Sequence, residues 1–267
     1  MAWSTPPAGW ATEAGLFVAP TGVAPDQSYP EHVRDALAAA ENHHFWFRSR
    51  SRLIADVVAG RIGPGGWLEI GCGTGHVLAE VARRYAGRSA GQDVSRHALE
   101  VARRRSDADL YLSRPEDLPL RDLDGVGLFD VIEHLDDDVG ALRVAASYLR
   151  PGGSVVVTVP AHAWLWSQVD EASGHRRRYG RRELMAQLAS AGLEVQLCRP
   201  FFACLLPGML ARRVVRLPSR DAALSLFLST PPSLVNRIFG VVTEAERHLF
   251  GLGASPLGTS WLAVARR

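Results

Sequence analysis

Residues 68–82 read LEIGCGTGHVLAEVA. A short apolar run ends at Ile70, three glycines follow at alternate positions (Gly71, Gly73, Gly75), and apolar residues at helical spacing begin after His76. A strand that ends in a Gly-rich turn and opens a helix brings free backbone N–H groups close to a ligand. The spacing is GxGxG, one residue short of the GxGxxG dinucleotide fingerprint, and no P-loop GK[ST] exists anywhere in the chain. Glu69, just before the glycines, is a poor neighbour for a pyrophosphate and a suitable one for a positively charged amino group or sulfonium.

Working outward, short β-type runs (SAGQDV, DLYLS, GVGLFDV, GSVVVTVP) alternate with helix-length segments (VLAEVARRY, RHALEVARRR, DVGALRVAASYL). Such alternation signals βαβ units around a parallel sheet, an α/β fold. Upstream, residues 31–60 read as a helical cover without Pro or Gly before Gly60, and residues 1–30, rich in Pro, Gly, Ala and Thr, read as a flexible arm. Downstream of Pro160, residues 161–180 read as an insertion, RRELMAQLASAGL as a helix with Gly192 at its C-cap, and EVQLCRPFF as a strand. Residues 203–253 are apolar and helical with breaks at Pro207, Pro218, Pro231 and Pro232, and TSWLAVARR is the last strand. Residues 31–267 are thus expected to form one domain.

Composition bounds the function. A chain of 267 residues, 47% hydrophobic and 22% charged, can bury a sizeable core. A net charge of only +2 argues against a general nucleic-acid binder. All 30 basic residues are arginines, which excludes lysine Schiff-base chemistry. Three cysteines, Cys72, Cys198 and Cys204, show neither a CxxC pair nor metal-ligand spacing, which fits a reducing cytoplasm. No basic stretch followed by an apolar one marks the first residues, so no signal peptide is expected, and no apolar run reaches the length of a membrane span.

Asp93, at the end of the second of these strands and followed by Val94, can accept the hydroxyls of a ribose. Glu116, Asp117 and Leu118, after the third, can present a carboxylate and an apolar wall to an adenine ring. The fourth runs into Asp130, Val131, Ile132, Glu133 and His134. Together, in this order from Gly66 to Pro160, these stretches resemble the class I S-adenosylmethionine-dependent methyltransferases. The resemblance implies a Rossmann-like, doubly wound sheet of seven strands with the last antiparallel, to which this chain is expected to add its N-terminal helical cover and a helical insertion before the last strand. It implies S-adenosyl-L-methionine as cofactor, its methionine part held by the loop of Glu69, Gly71, Cys72, Gly73 and Gly75. Asp93 with Val94 would hold the ribose, and Glu116, Asp117 and Leu118 would flank the adenine. Asp130, Val131 and His134 would lie beside them. HFWFRSR, DVIEHLDD and GHRRRY are similar to stretches of one bacterial subgroup, HxWFxxR and GHxRRY among them, whose members act on varied small molecules.

Several residues have two readings. Trp46 and Arg50 share a helix face with His43 and Phe47. Over the cofactor, Arg50 would face the methionine carboxylate and Trp46 would exclude solvent; otherwise the face packs on the sheet. His134 and His175 are the candidate general bases, with His162 a third. His162, Trp164, Trp166, Arg178 and Tyr179, all after the fifth strand, would form an acceptor wall, or else a lid held by arginine pairs with Asp170, Glu171 and Glu183. Arg181 and Arg182 belong to the next helix. A metal site of His134 with Asp136, Asp137 and Asp138 is set aside, because acidic side chains suit a helix start, and no metal is expected. The expected acceptor is a small molecule, hydrophobic if residues 203–253 cap it; that segment would otherwise be a dimer face or a peripheral membrane surface. The overall expectation is a cytoplasmic methyltransferase, monomer or homodimer, acting by default on oxygen. Its alternatives are a non-methylating rearrangement or cyclisation with the same cofactor, and a non-catalytic partner subunit.

Overall fold

The computed structural model describes residues 8–23, 31–214, 218–253 and 256–267, with backbone alone at 31–33 and 212–214. Its first feature corrects the flexible-arm reading. Strands β1 (Ala11–Glu13) and β2 (Leu16–Val18) form a hairpin whose turn residues, Ala14 and Gly15, have φ of 50° and 79°, as a tight two-residue turn requires. β2 pairs in parallel with the later strand Asp109–Leu112, which buries Leu16 and Phe17. That burial against a ready-made sheet outweighs the turn-rich composition around it. The remainder of the expected arm, residues 1–7 and 24–30, lies outside the described residues.

The expected helical cover is two helices, α1 (Glu31–His43) and α2 (Phe45–Arg61). Between them His44 is extended, and its Nδ1 accepts from the Trp46 N–H at 3.1 Å. The break is held from a distance: the Asn236 amide donates to the His43 carbonyl at 2.8 Å and accepts from the Phe45 N–H at 2.9 Å.

Next come β3 (Gly66–Ile70), α3 (His76–Ala82), β4 (Arg88–Asp93), α4 (Arg96–Arg103), β5 (Asp109–Leu112), β6 (Leu123–Phe129), α5 (Asp138–Ser147) and β7 (Leu149–Pro160). They are followed by α6 (Gln168–Ala172), α7 (Arg181–Ser190), β8 (Glu194–Phe201), α8 (Leu206–Val214), α9 (Arg220–Leu228), α10 (Ser233–Leu249) and β9 (Ser260–Arg266). One sheet takes the order β1-β2-β5-β4-β3-β6-β7-β9-β8, with β9 antiparallel to both its neighbours. The seven expected strands are β3 to β9, and the hairpin extends them to nine. Helices α2, α3 and α4 cover one face through Leu53, Leu78 and Leu99; α5 and α7 cover the other through Leu142, Leu184 and Leu188. Burial on both faces explains the continuous apolar runs of β3, β6 and β7. Strand order reverses at β3, with β4 on one side and β6 on the other. In open α/β sheets that crevice, at the carboxyl ends of the strands, receives the ligand.

The long insertion lies on the N-terminal helices. α10 runs along α2 through a buried Ser49–Thr243 hydroxyl pair at 2.8 Å, an Arg52–Glu244 ion pair at 2.8 Å and stacked Phe45 and Phe239 rings. Phe227 of α9 packs edge-on against Trp46 and Phe47. The opposite side of α10 leaves Leu234, Ile238 and Val241 exposed. Among the described residues, no helix is long and apolar enough to cross a membrane.

Candidate active site

The glycine turn forms as its sequence demands. Gly71, Gly73 and Gly75 have φ of 68°, 53° and 73°, a region that L side chains rarely enter. A Cβ at Gly71 would lie 2.8 Å from Val131 Cγ2 and one at Gly75 2.6 Å from Ala102 Cβ, whereas one at Gly73 would meet nothing within 4 Å. The turn is therefore packed at both ends and open in the middle. Asp93, at the end of β4, ties it down: its carboxylate accepts from the Gly73 N–H at 2.7 Å and the Ser95 N–H at 2.8 Å. Gln92 adds an acceptor for the Gly71 N–H at 3.4 Å. Glu41 of α1 reaches across to accept from the Thr74 hydroxyl at 2.6 Å and from Arg105 at 2.5 Å. Cys72 is buried behind the turn among core residues, and burial pushes its thiol up.

Two orphaned polar atoms lie around this turn. Glu69 is 2% exposed and its Oε2 has no hydrogen-bond partner. Burial pushes its carboxyl well above the usual range; Arg50 opposes this, and the carboxylates of Asp93 and Glu41 add to it. Arg50, projecting from α2, pairs with Asp130 at 2.7 Å and donates to the Thr158 hydroxyl at 3.1 Å, while its Nε is buried without a partner. Thr158 in turn donates to Asp130 at 3.1 Å, so α2, β6 and β7 meet at one buried polar centre. Trp46 covers the guanidinium at 5.4 Å. An orphaned acceptor and an orphaned donor suit the ammonium and carboxylate of an amino acid.

On the far side of the turn, Val94 and Glu116 are exposed. Asp117 accepts from the Thr21 hydroxyl at 2.9 Å and from Arg114 at 3.3 Å. Leu118 is only 1% exposed and packs in the core, so the expected apolar wall is not its side chain.

After β7, the stretch SGHRRRYGRRE (173–183) clamps onto the loop that follows β6. Asp170 is fully buried and accepts from the Ser167 N–H at 2.9 Å, His175 Nδ1 at 2.9 Å and Arg178 Nε at 2.7 Å. Burial works to raise its pKa, but the His175 hydrogen bond and Arg178 prevail and hold it below the usual range. Arg176 binds the His134 carbonyl at 2.8 Å and Asp136, and Arg177 binds Asp138 at 3.1 Å. Tyr179 is 0% exposed, its hydroxyl donating to Asp138 at 2.9 Å. Arg178 and Tyr179 are thus corrected from acceptor contacts to lid supports: a lid that closes against the sheet must pair its own arginines and bury its own tyrosine. Arg181 donates to the Cys198 carbonyl. His162, with φ of 61°, stacks on Trp164 at 5.1 Å, and Trp164 is 43% exposed; Trp166 is half-buried. The His134 and His175 rings meet edge-on at 4.9 Å. Burial, with His175 beside it, lowers His134 to about 4, so its ring is neutral at neutral pH.

A family model described as a methyltransferase domain matches residues 37–197, more than half of the chain. A probable S-adenosylmethionine-dependent methyltransferase of Mycolicibacterium smegmatis is 30% identical over 183 residues, 64% of this chain and 70% of that protein. The chain belongs to the S-adenosylmethionine-dependent methyltransferases. A ubiquinone biosynthesis O-methyltransferase of Xanthomonas campestris is 31% identical to this methyltransferase over 113 residues, 39% of this chain and 47% of the other. Among solved structures, the [4+2]-cyclase SpnF superposes with a TM-score of 0.57 at 22% identity, covering 89% of this chain and 93% of its own, a likeness of fold. The enzyme uses S-adenosylmethionine, and the orphaned atoms of Glu69 and Arg50 beside an open Gly73 fit its methionine part. Sequence reasoning missed Glu41 and Thr158 as organisers of the site, because each acts through partners far along the chain, Thr74 and Arg105 for Glu41 and Arg50 for Thr158; Asp170, expected as a lid partner of the arginines, is one.

Proposed function

We propose that this methyltransferase acts on an oxygen of a small-molecule acceptor, with the cofactor seated between the glycine turn and the Arg50–Asp130 centre. When bound, the cofactor supplies a methyl group on a positively charged sulfur. Glu69 and Arg50 orient its amino-acid end, and Asp93 is placed for the ribose. The observation that carries the acceptor side is the file Asp170–His175–His134, which runs from the buried lid to the end of β6. It sets a neutral imidazole near Asp130, able to take the proton that an acceptor hydroxyl loses. The acceptor oxygen forms its bond to carbon as the carbon–sulfur bond breaks, with that electron pair staying on sulfur. Positioning and exclusion of water do most of the work in such a displacement, and Trp46, Trp164 and the cover formed by α9 and α10 serve both. The name of the ubiquinone-pathway relative supports oxygen as the acceptor atom.

The test is incubation with methyl-labelled S-adenosylmethionine and a panel of phenols and alcohols, read by mass spectrometry. S-adenosylhomocysteine should form in step with an O-methylated product. His134→Ala should bind cofactor normally and transfer slowly. Absence of any O-methylated product, or wild-type turnover by His134→Ala, would overturn the assignment.

A further inference from the structure

Glu133 is 0% exposed, and neither of its carboxylate oxygens has a hydrogen-bond partner. A buried carboxylate without partners is costly unless it is neutralised or coordinates a metal. Glu133, His134 and His175 each offer a ligand atom, and these atoms lie within 4.8 Å of one another. His175 is already held by one nitrogen, its Nδ1 fixed by Asp170 at 2.9 Å, and the His134 ring meets it edge-on at 4.9 Å. A histidine oriented through one nitrogen by a carboxylate or backbone group presents the other to a metal. The aspartates considered as ligands from sequence are engaged elsewhere. Asp136 pairs with Arg176, Asp137 caps the Gly140 N–H at 2.7 Å, and Asp138 holds Arg177 and Tyr179.

We propose that Glu133, His134 and His175 form a site for one divalent transition-metal cation, zinc or manganese in type, with Asp170 as a positioning residue for His175. Two imidazoles and one carboxylate favour such ions over magnesium or calcium, which take oxygen ligands. Three protein ligands leave coordination positions open, as in metal sites that bind a substrate oxygen. The role of the cation rests on the O-methylation reading and changes only where the proton goes: with His134 serving as a ligand and not as the base, an acceptor hydroxyl bound to the cation gives up its proton to solvent more readily, and the oxygen lone pair is free to form the carbon–oxygen bond. Binding itself does not depend on which acceptor is used.

The test takes the full chain, stripped with EDTA and dialysed, and titrates ZnCl2 and MnCl2 separately by calorimetry. One equivalent should bind, and Glu133→Gln and His175→Ala should each weaken affinity at least ~10-fold. Circular dichroism and S-adenosylmethionine binding check that the variants fold. The wild-type chain alone gives a second readout: Co2+ should produce a visible absorption band that excess zinc removes. Failure of the wild type to bind either cation stoichiometrically, or wild-type affinity in both variants, would overturn the site. O-methylation by a chain that binds no cation would refute the metal and leave the acceptor reading standing; stoichiometric binding without O-methylation would do the reverse.

Discussion

Replacing Asp170 by Asn tests whether the lid is held by one buried charge. The Asp170 side chain is 1% exposed and that of Arg178 is 5% exposed, and they meet at 2.7 Å. Removing one partner of a buried ion pair costs about 3–5 kcal/mol, because the other charge is left uncompensated. Arg178 keeps its hydrogen bond to the Ala161 carbonyl at 3.1 Å, and an Asn oxygen in the Oδ1 position can still accept from Arg178 Nε, which places the loss at the lower end, about 3 kcal/mol. At roughly 2–4 °C per kcal/mol for a chain of this size, Tm should fall by about 6–12 °C. Differential scanning calorimetry at pH 7 measures it directly. A Tm within about 2 °C of wild type would refute the reasoning, since it would mean that solvent screens the pair as it does a surface one. The pH dependence has a definite sign. The folded pKa of Asp170 is depressed, so its stabilisation is present above the unfolded value, about 3.9, and is lost as pH falls through the lower folded value. The Asp170→Asn deficit should therefore be constant from neutral pH down to about pH 4 and shrink below it.

Other consequences are separately measurable. Because burial holds Glu69 protonated well above the usual carboxylate range, binding of a cationic ammonium should release a proton and affinity should rise with pH; calorimetry in buffers of different ionisation enthalpy should detect the release, and its absence would count against Glu69 as the ammonium partner. Tyr179→Phe should lower stability by about 1–3 kcal/mol through loss of its buried hydrogen bond to Asp138, with acceptor KM unchanged; a raised KM at unchanged Tm would restore Tyr179 as an acceptor contact. Gly75→Ala, at φ +73° with Ala102 Cβ only 2.6 Å from the added carbon, should cost at least about 1–3 kcal/mol of backbone strain and weaken cofactor binding, as thermal melts with and without S-adenosylmethionine would show.

What could be read in the sequence was local. Ile70 to His76 carries its own geometry: apolar alternation makes the strand, and glycines supply the positive φ that turns it into α3. Asp93 and Asp130 could be placed because βα units repeat with regular spacing and end on one edge. The missed features depend on distant partners. His44 breaks a helix that residues 31–60 alone would continue, because Asn236, about 190 residues on, satisfies the backbone groups on both sides. The β1–β2 hairpin exists because β5 offers β2 an edge; only Ala14-Gly15 hinted at it. Of the arginines of SGHRRRYGRRE, Arg178 pairs with Asp170 as the lid reading expects, whereas Arg176 and Arg177 take Asp136 and Asp138, which the sequence places at a helix start. Glu133 could be placed at the end of the fourth expected strand, but its lack of partners is visible only once the lid has folded over it.

The most direct test of the cofactor site is calorimetric titration of S-adenosylmethionine into the wild-type chain and into Asp93→Ala. One equivalent should bind the wild type, and the variant, having lost the proposed ribose acceptor and the tether on the Gly73 N–H at 2.7 Å, should bind at least ~10-fold more weakly, about 1.4 kcal/mol. Equal affinity in the two proteins, with the variant folded, would contradict the placement of the cofactor at the glycine turn.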